Sequence, residues 1–297
     1  MQHSLKLIAG PGERPYVKYT SDGKSRIHIA FTDDHPRTFP TNSIYYMYYE
    51  AGVFHHADGT PIKNLAQLPI IPRPDADIVY DGNTSGKAWV WDVAIDASNH
   101  PVIVHTVLPT DDDHRYYYSR WDGKKWLDRE MTKAGKWFPQ TPAGTVEREP
   151  HYSGGIILDH EDPSIVYLSK ATKGVFEIEK WTTPDGGATW KTGMVTSGSA
   201  KNNVRPFIPW PEPGTHPPVK MLIWMHGDYV HYTNFDTEVK YLLLPGATTG
   251  LAGGVGRDAR AQVPDGKSDG AWIGGLVNYR WQAGERLLRV DASGKAR

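Results

Sequence analysis

One strand-and-turn pattern recurs four times along this chain, and a recurrence of that length constrains the fold more than any other feature. Each copy has a first strand with an aromatic residue or Arg near its start, a Gly/Asp/Pro turn, a second apolar strand ending in a polar cluster, and then a paired hairpin. The first copy reads RPYVKY, turn SDGKS, RIHIAFTDDHPR, then SIYYMYYEAG and VFHHADGTPI. The second reads AWVWDVAID, turn ASNH, PVIVHT, then RYYYSRWDGKKWLDREM; the third PHYSGGIILD, turn HEDPS, IVYLSK, then FEIEKWTTPDGGATWKTGMV. The fourth is NVRPFIPW, a Pro-rich turn, VKMLIWMHGD, then YVHYTNFDTEVKYLLL. Second strands start near Ile27, Val102, Ile165 and Met221, so the period shrinks from about 75 to about 56 residues.

An antiparallel sheet of four such strands cannot bury both faces alone, and stacking similar sheets around an axis solves that problem while leaving only short edges. The expected fold is therefore all-β, a β-propeller of four-stranded blades. A single domain over residues 1–297 is expected, with blades near 11–65, 87–133, 150–197, 201–245 and 250–297, the last completed by residues 2–9. If the ring is not closed within one chain, a homodimer is the expected way to cover its open faces.

Composition agrees with strands: 11 Trp, 16 Tyr, 30 Gly and 23 Pro favour strands and turns over helices. Lys plus Arg (33) nearly balances Asp plus Glu (34), which gives no basic field for a nucleic acid. The apolar runs are far shorter than the ~20 residues of a membrane-spanning helix. The absence of Cys removes disulfides, thiolate nucleophiles and Cys-ligated zinc from consideration. MQHSLKLIAGPGERP lacks the apolar core of a secretory signal, so the chain as given is expected to be mature, cytosolic or cut from a longer precursor.

The segment TTPDGGATW fits the Asp-box pattern Ser/Thr-x-Asp-x-Gly-x-Thr-Trp, with Asp185, Gly187, Thr189 and Trp190 in place. Its Asp is expected to cap a tight hairpin and its Trp to pack between sheets, which makes it a folding device. With this box, and with the stretches quoted above over roughly residues 11–240, the chain resembles the bacterial-neuraminidase-repeat (BNR) propellers, in particular the group related to ulvan lyases and rhamnose-glucuronate-cleaving enzymes. The resemblance implies an enzyme acting on a uronic-acid-containing polysaccharide, no cofactor, and a secreted or periplasmic location. Members of that family usually look seven-bladed.

In a propeller the innermost strands start, and the next strands end, at one face of the ring, so side chains there converge. That rule collects Arg14, Tyr16, Asp34, His35 and Arg37; Trp91, Asp92 and His105; His151, Tyr152 and Lys170; and Arg205, His226 and Asp228. Arg14 or Arg205 can grip a uronate carboxylate and acidify the adjacent C5 hydrogen, while Trp91 and Tyr16 offer faces for sugars. His35, His105, His151 and Tyr152 are the expected acid–base groups of a β-elimination. Trp89 and Trp91 flank Val90, and only one of them is expected to line the funnel. Each residue has a structural competitor: His105 as a core histidine, His35 as a turn cap, Gly154 and Gly155 as relief of inner-strand crowding.

Three other functions stay open at this level. Paired carboxylates from Asp34, Asp92 and Asp228 suit a glycosidase. A divalent cation assembled on the axis suits a metal-assisted hydrolase of esters or phosphoesters. A glycan-binding propeller without turnover is the third alternative.

Overall fold

In the computed structural model the described residues are 5–12, 14–136, 154–209, 220–231 and 234–244. They form antiparallel sheets with very little helix. The chain divides into two compact units, residues 1–208 with 224–240, and residues 209–223 with 241–297. In the second unit the described residues pair through the Leu244 N–H, which donates to the Lys220 carbonyl at 2.9 Å.

The first sheet contains β1 (Val17–Ser21), β2 (Arg26–Thr32), β3 (Ile44–Glu50), β4 (Val53–His55) and β5 (Pro61–Asn64) in that order, with β6 (Asp77–Tyr80) beside the first half of β3. The second is a meander of β7 (Lys87–Ile95), β8 (Pro101–Thr110), β9 (Asp113–Trp121) and β10 (Trp126–Gly135). The third repeats it with β11 (Ile156–Leu158), β12 (Ile165–Thr172), β13 (Val175–Thr182) and β14 (Lys191–Met194). The fourth has β15 (Asn202–Phe207), β16 (Met221–His231) and β17 (Asn234–Leu243). Inner strands follow one another, β1 against β7, β7 against β11 and β11 against β15. This is the blade arrangement of a β-propeller.

The hairpins close for a local reason that the sequence carries. A short carboxylate at the head of several of the turns accepts from backbone N–H groups that the turn leaves unpaired. Asp22 accepts from Lys24, Ser25 and Arg26, Asp96 from Ser98 and His100, Asp122 from Lys124 and Lys125, and Asp162 from Ser164. In the Asp box Thr189 donates to Asp185 through both its hydroxyl (2.6 Å) and its N–H (2.8 Å). Those bonds hold the Asp185 carboxyl down at about 2. Trp190 packs edge-on against Tyr118 and Trp181, joining the second and third sheets as expected of a folding device.

Alternation along the strands then fills both faces of each sheet. Ile103 packs with Ala30, Tyr46 and Val90 between the first two sheets, whereas its neighbours Val102 and Val104 pack with Tyr116, Leu158 and Trp181 between the second and third. On the far face of the first sheet Phe31, Tyr45 and Met47 pack with Ile8 and Ile70. Residues 7–9 are held there by a parallel bridge between Ile8 and Ile70. The expected fifth sheet would draw on residues 250–297, which lie outside the described residues.

Candidate functional site

The starts of the inner strands bring five side chains from different sheets into one row. Tyr16 lies just before β1, His35 just after β2, Trp89 and Trp91 on β7, and Arg205 on β15. Tyr16, His35 and Trp89 form a triangle of edge contacts, with ring centroids 5.3, 5.3 and 5.0 Å apart. Trp89 stacks on Trp91 at 6.4 Å with only 21° between the planes, and the Arg205 guanidinium lies over Trp91 at 4.9 Å. A register shift between Val90 and Asp92 makes a bulge at Trp91, which packs toward the core between the second and third sheets while Trp89 lies against Tyr16 and His35.

Local hydrogen bonds fix the row. Asn42 accepts from the Asp34 N–H and donates to the Ala88 carbonyl, both at 2.8 Å, so it ties the loop that carries His35 to the strand that carries Trp89. His35 Nδ1 accepts from the Arg37 N–H at 3.0 Å, which places the neutral ring's proton on Nε2. The Tyr16 N–H donates to Thr32 Oγ1, and burial raises the pKa of its phenol, so Tyr16 suits contact rather than proton removal. Asn42 was not singled out by sequence, because it sits in no pattern that announces a role.

The remaining sequence-derived residues are placed as follows. Arg14 and Arg37 are exposed on the rim beside His35, and the Arg14 N–H donates to Asp34 Oδ1. Asp34 also accepts from Thr38, which leaves it a loop-closing carboxylate. Lys170 directs its ammonium over Trp181 at 5.9 Å, along the third sheet. His226 bonds Asn203 Oδ1 at 2.9 Å, with its pKa lowered chiefly by burial, and Trp224 donates to the same oxygen. His151 and Tyr152 lie outside the described residues.

Two residues are placed away from the row. His105 is fully buried, bonds Ser119 and Asp128 through Nε2 at 3.0 Å each, and stacks on Tyr117. Its position in the middle of β8 faces it into the interface with the first sheet, where the alternation of PVIVHT puts it. Asp92 accepts from the Leu158 N–H at 3.0 Å and from His160 Nε2 at 2.9 Å. His160 Nδ1 in turn lies 3.4 Å from Thr20 Oγ1, so this cluster links the first three sheets. The third hydrolase carboxylate, Asp228, pairs with Lys201 on the fourth sheet. Asp34, Asp92 and Asp228 thus have separate partners and do not form one pair.

Among the described residues no group of three or more His, Asp or Glu is arranged to hold a metal ion, and no helix is long and apolar enough to cross a membrane. A recess of about 420 Å³ opens on the first sheet between Val17, Tyr19, Ile27, Phe54 and Leu65. Its lining is apolar throughout, which does not suit a polar glycan.

A β-propeller fold with an aromatic and cationic row at its inner strands is the class of structure these features define. Residues 2–134 match the sequence pattern of a BNR repeat-containing family member. No curated protein matches the chain. Among solved structures it is similar to an ulvan lyase described as a new polysaccharide lyase family, PL25, with 14% identity and a TM-score of 0.50 over 77% of this chain and 51% of that one. The same lyase bound to -[GlcA(1-4)Rha3S]- matches with the same values. The chain therefore spans about half the length of these structures, and the likeness is one of fold.

Proposed function

We propose that this chain acts on a uronic-acid-containing polysaccharide by metal-free β-elimination. The observation that carries the reading is the row Tyr16–His35–Trp89–Trp91–Arg205, which combines aromatic faces, an imidazole and a guanidinium where the inner strands begin. Aromatic faces suit the C–H faces of sugars, and a planar guanidinium suits a carboxylate. The fold shared with a lyase whose bound glycan contains glucuronate adds support.

In this reading Arg205 neutralises the uronate carboxylate, which lowers the cost of removing the C5 proton. A base takes that proton, the C5–H electrons form the C4=C5 double bond, and the C4–O bond breaks with its pair going to oxygen, which is then protonated. His151 and Tyr152 are the proposed base candidates, and the His35 Nε2–H is a donor suited to the carboxylate or the leaving oxygen. Asp34 and Asp92 are committed to loop closure and to His160, which disfavours a two-carboxylate hydrolysis.

The test is a product-resolved screen of the whole chain on glucuronate-, iduronate- and galacturonate-containing polysaccharides, with neutral glycans and simple esters alongside, each with and without chelator. The expected result is near-ultraviolet absorbance from an unsaturated uronate on at least one acidic glycan, unaffected by chelator. New reducing ends without that absorbance, or ester cleavage that chelator stops, would overturn it.

A further inference from the structure

A buried polar network between the third and fourth sheets ends on a half-buried imidazole. Its centre is Glu177 on β13, a carboxylate only 2% exposed. Glu177 accepts from the Thr196 hydroxyl at 2.5 Å, from the N–H and hydroxyl of Ser199 at 2.7 and 2.9 Å, and from Asn203 Nδ2 at 3.0 Å. Donors in that number offset the cost of burying a carboxylate.

Asn203 carries the network from β13 to β16. Its amide nitrogen also donates to the Phe176 carbonyl at 3.3 Å, so its amide oxygen is the atom turned toward Trp224 and His226. The Trp224 indole, which can only donate, lies 2.9 Å from that oxygen and fixes the amide the same way round. An amide oxygen cannot donate. His226 Nδ1, also 2.9 Å from it, therefore carries the hydrogen, and the neutral ring has its lone pair on Nε2. Among the described residues Nε2 makes no hydrogen bond.

Burial holds the His226 pKa below the ordinary histidine value. Of the charges facing the ring, Lys240 and Lys201 act in the same direction, whereas Glu238 and Glu177 oppose it. The ring is thus neutral at pH 7, with Nε2 an acceptor. A lock between the two sheets is complete with Glu177, Asn203 and Trp224, whose side-chain polar atoms are all bonded. The imidazole adds to that lock an acceptor of fixed tautomer on a half-buried ring. It lies in the second half of β16, on the sheet whose inner strand β15 carries Arg205.

We propose that His226 is a substrate-binding residue: held by Asn203 with its hydrogen on Nδ1, it presents Nε2 as the acceptor for a sugar hydroxyl. This rests on the reading of the chain as one that acts on an acidic polysaccharide.

Nitrogen-15 NMR of the whole chain labelled at histidine tests the seat and the contact together, the resonances being assigned by their loss in His226→Gln. At pH 7 without ligand, His226 is expected to be protonated on Nδ1 and not on Nε2. Glucuronate-, iduronate- and galacturonate-containing oligosaccharides are then added in turn. The one that binds is expected to move the Nε2 resonance toward that of a hydrogen-bonded acceptor and to leave it unprotonated. In calorimetry with that oligosaccharide His226→Phe is expected to bind about 10-fold more weakly, and His226→Gln, whose amide oxygen can accept, to stay within about 3-fold of the wild type. Circular dichroism checks that both variants are folded. A hydrogen on Nε2, an Nε2 resonance unmoved by bound oligosaccharide, undiminished binding in His226→Phe, or a loss in His226→Gln as large as in His226→Phe would each overturn the inference, while wild-type binding leaves the polysaccharide reading standing. No binding by the wild type to any of the three would overturn both.

Discussion

Arg205→Ala is expected to lower kcat/KM on a glucuronate-containing polysaccharide about 100-fold or more, with the chain still folded. Truncating one partner of a desolvated charge pair costs about 2–5 kcal/mol, most of it from the charge left uncompensated, and here that charge is the substrate carboxylate beside the developing carbanion. Arg205→Lys is expected to recover part of the loss only, since an ammonium keeps the charge but does not offer two parallel donors. The half-buried Arg205 side chain contributes little to the apolar core, so thermal unfolding should shift by no more than a few degrees. Steady-state kinetics with a parallel melt decide this. A large loss of stability accompanied by unchanged activity in the folded fraction would assign Arg205 to inter-blade anchoring instead.

Asp92→Ala should behave in the opposite way, with a stability loss of about 3 kcal/mol and sugar affinity preserved in the folded fraction. Its carboxylate accepts from the N–H groups of Val93 and Leu158 and from His160, so its removal leaves buried donors of the third sheet without an acceptor. The link it breaks joins three consecutive sheets through Thr20, Asp92 and His160. Urea titration followed by tryptophan fluorescence measures the effect. Asp92→Asn, which keeps an acceptor for one donor, should lose less. An unaltered urea midpoint with lost sugar binding would return Asp92 to the set of converging side chains in which its place in the sequence pattern first put it.

That contrast shows what repeat grammar can and cannot carry. The ends of the inner strands were legible because strand order, turn chemistry and alternation are local: Asp22, Asp96, Asp122, Asp162 and Asp185 each head a turn whose N–H groups they accept from. From those ends alone follow the neighbourhood of Tyr16 and His35 and the arrival of Arg205 from another blade. Whether a polar residue lies in an interior or at the mouth depends on phase, which one residue can reverse. His105 keeps the regular alternation of β8 and is carried inward, while a bulge at Trp91 shifts the phase of β7, where Trp91 packs toward the core and Trp89 lies against Tyr16 and His35. The partner of Asp92 lies 68 residues away in a loop, and Asn42 contacts Ala88 across 46 residues, so pairings of this kind leave no trace in spacing or composition. Arg205 was legible as a cation before a proline, but its left-handed backbone, and the glycine pair that makes room for it, emerge only from the packing of β11 on β15.

In the proposed function the starts of the inner strands form one recognition row for an acidic sugar. A crystal structure of the whole chain with a glucuronate–rhamnose oligosaccharide tests it most directly. The expected density has the glucuronate carboxylate on the Arg205 guanidinium and a sugar face against Trp89 and Tyr16. An oligosaccharide seated on the outer hairpins, or with its carboxylate turned away from Arg205, would contradict it.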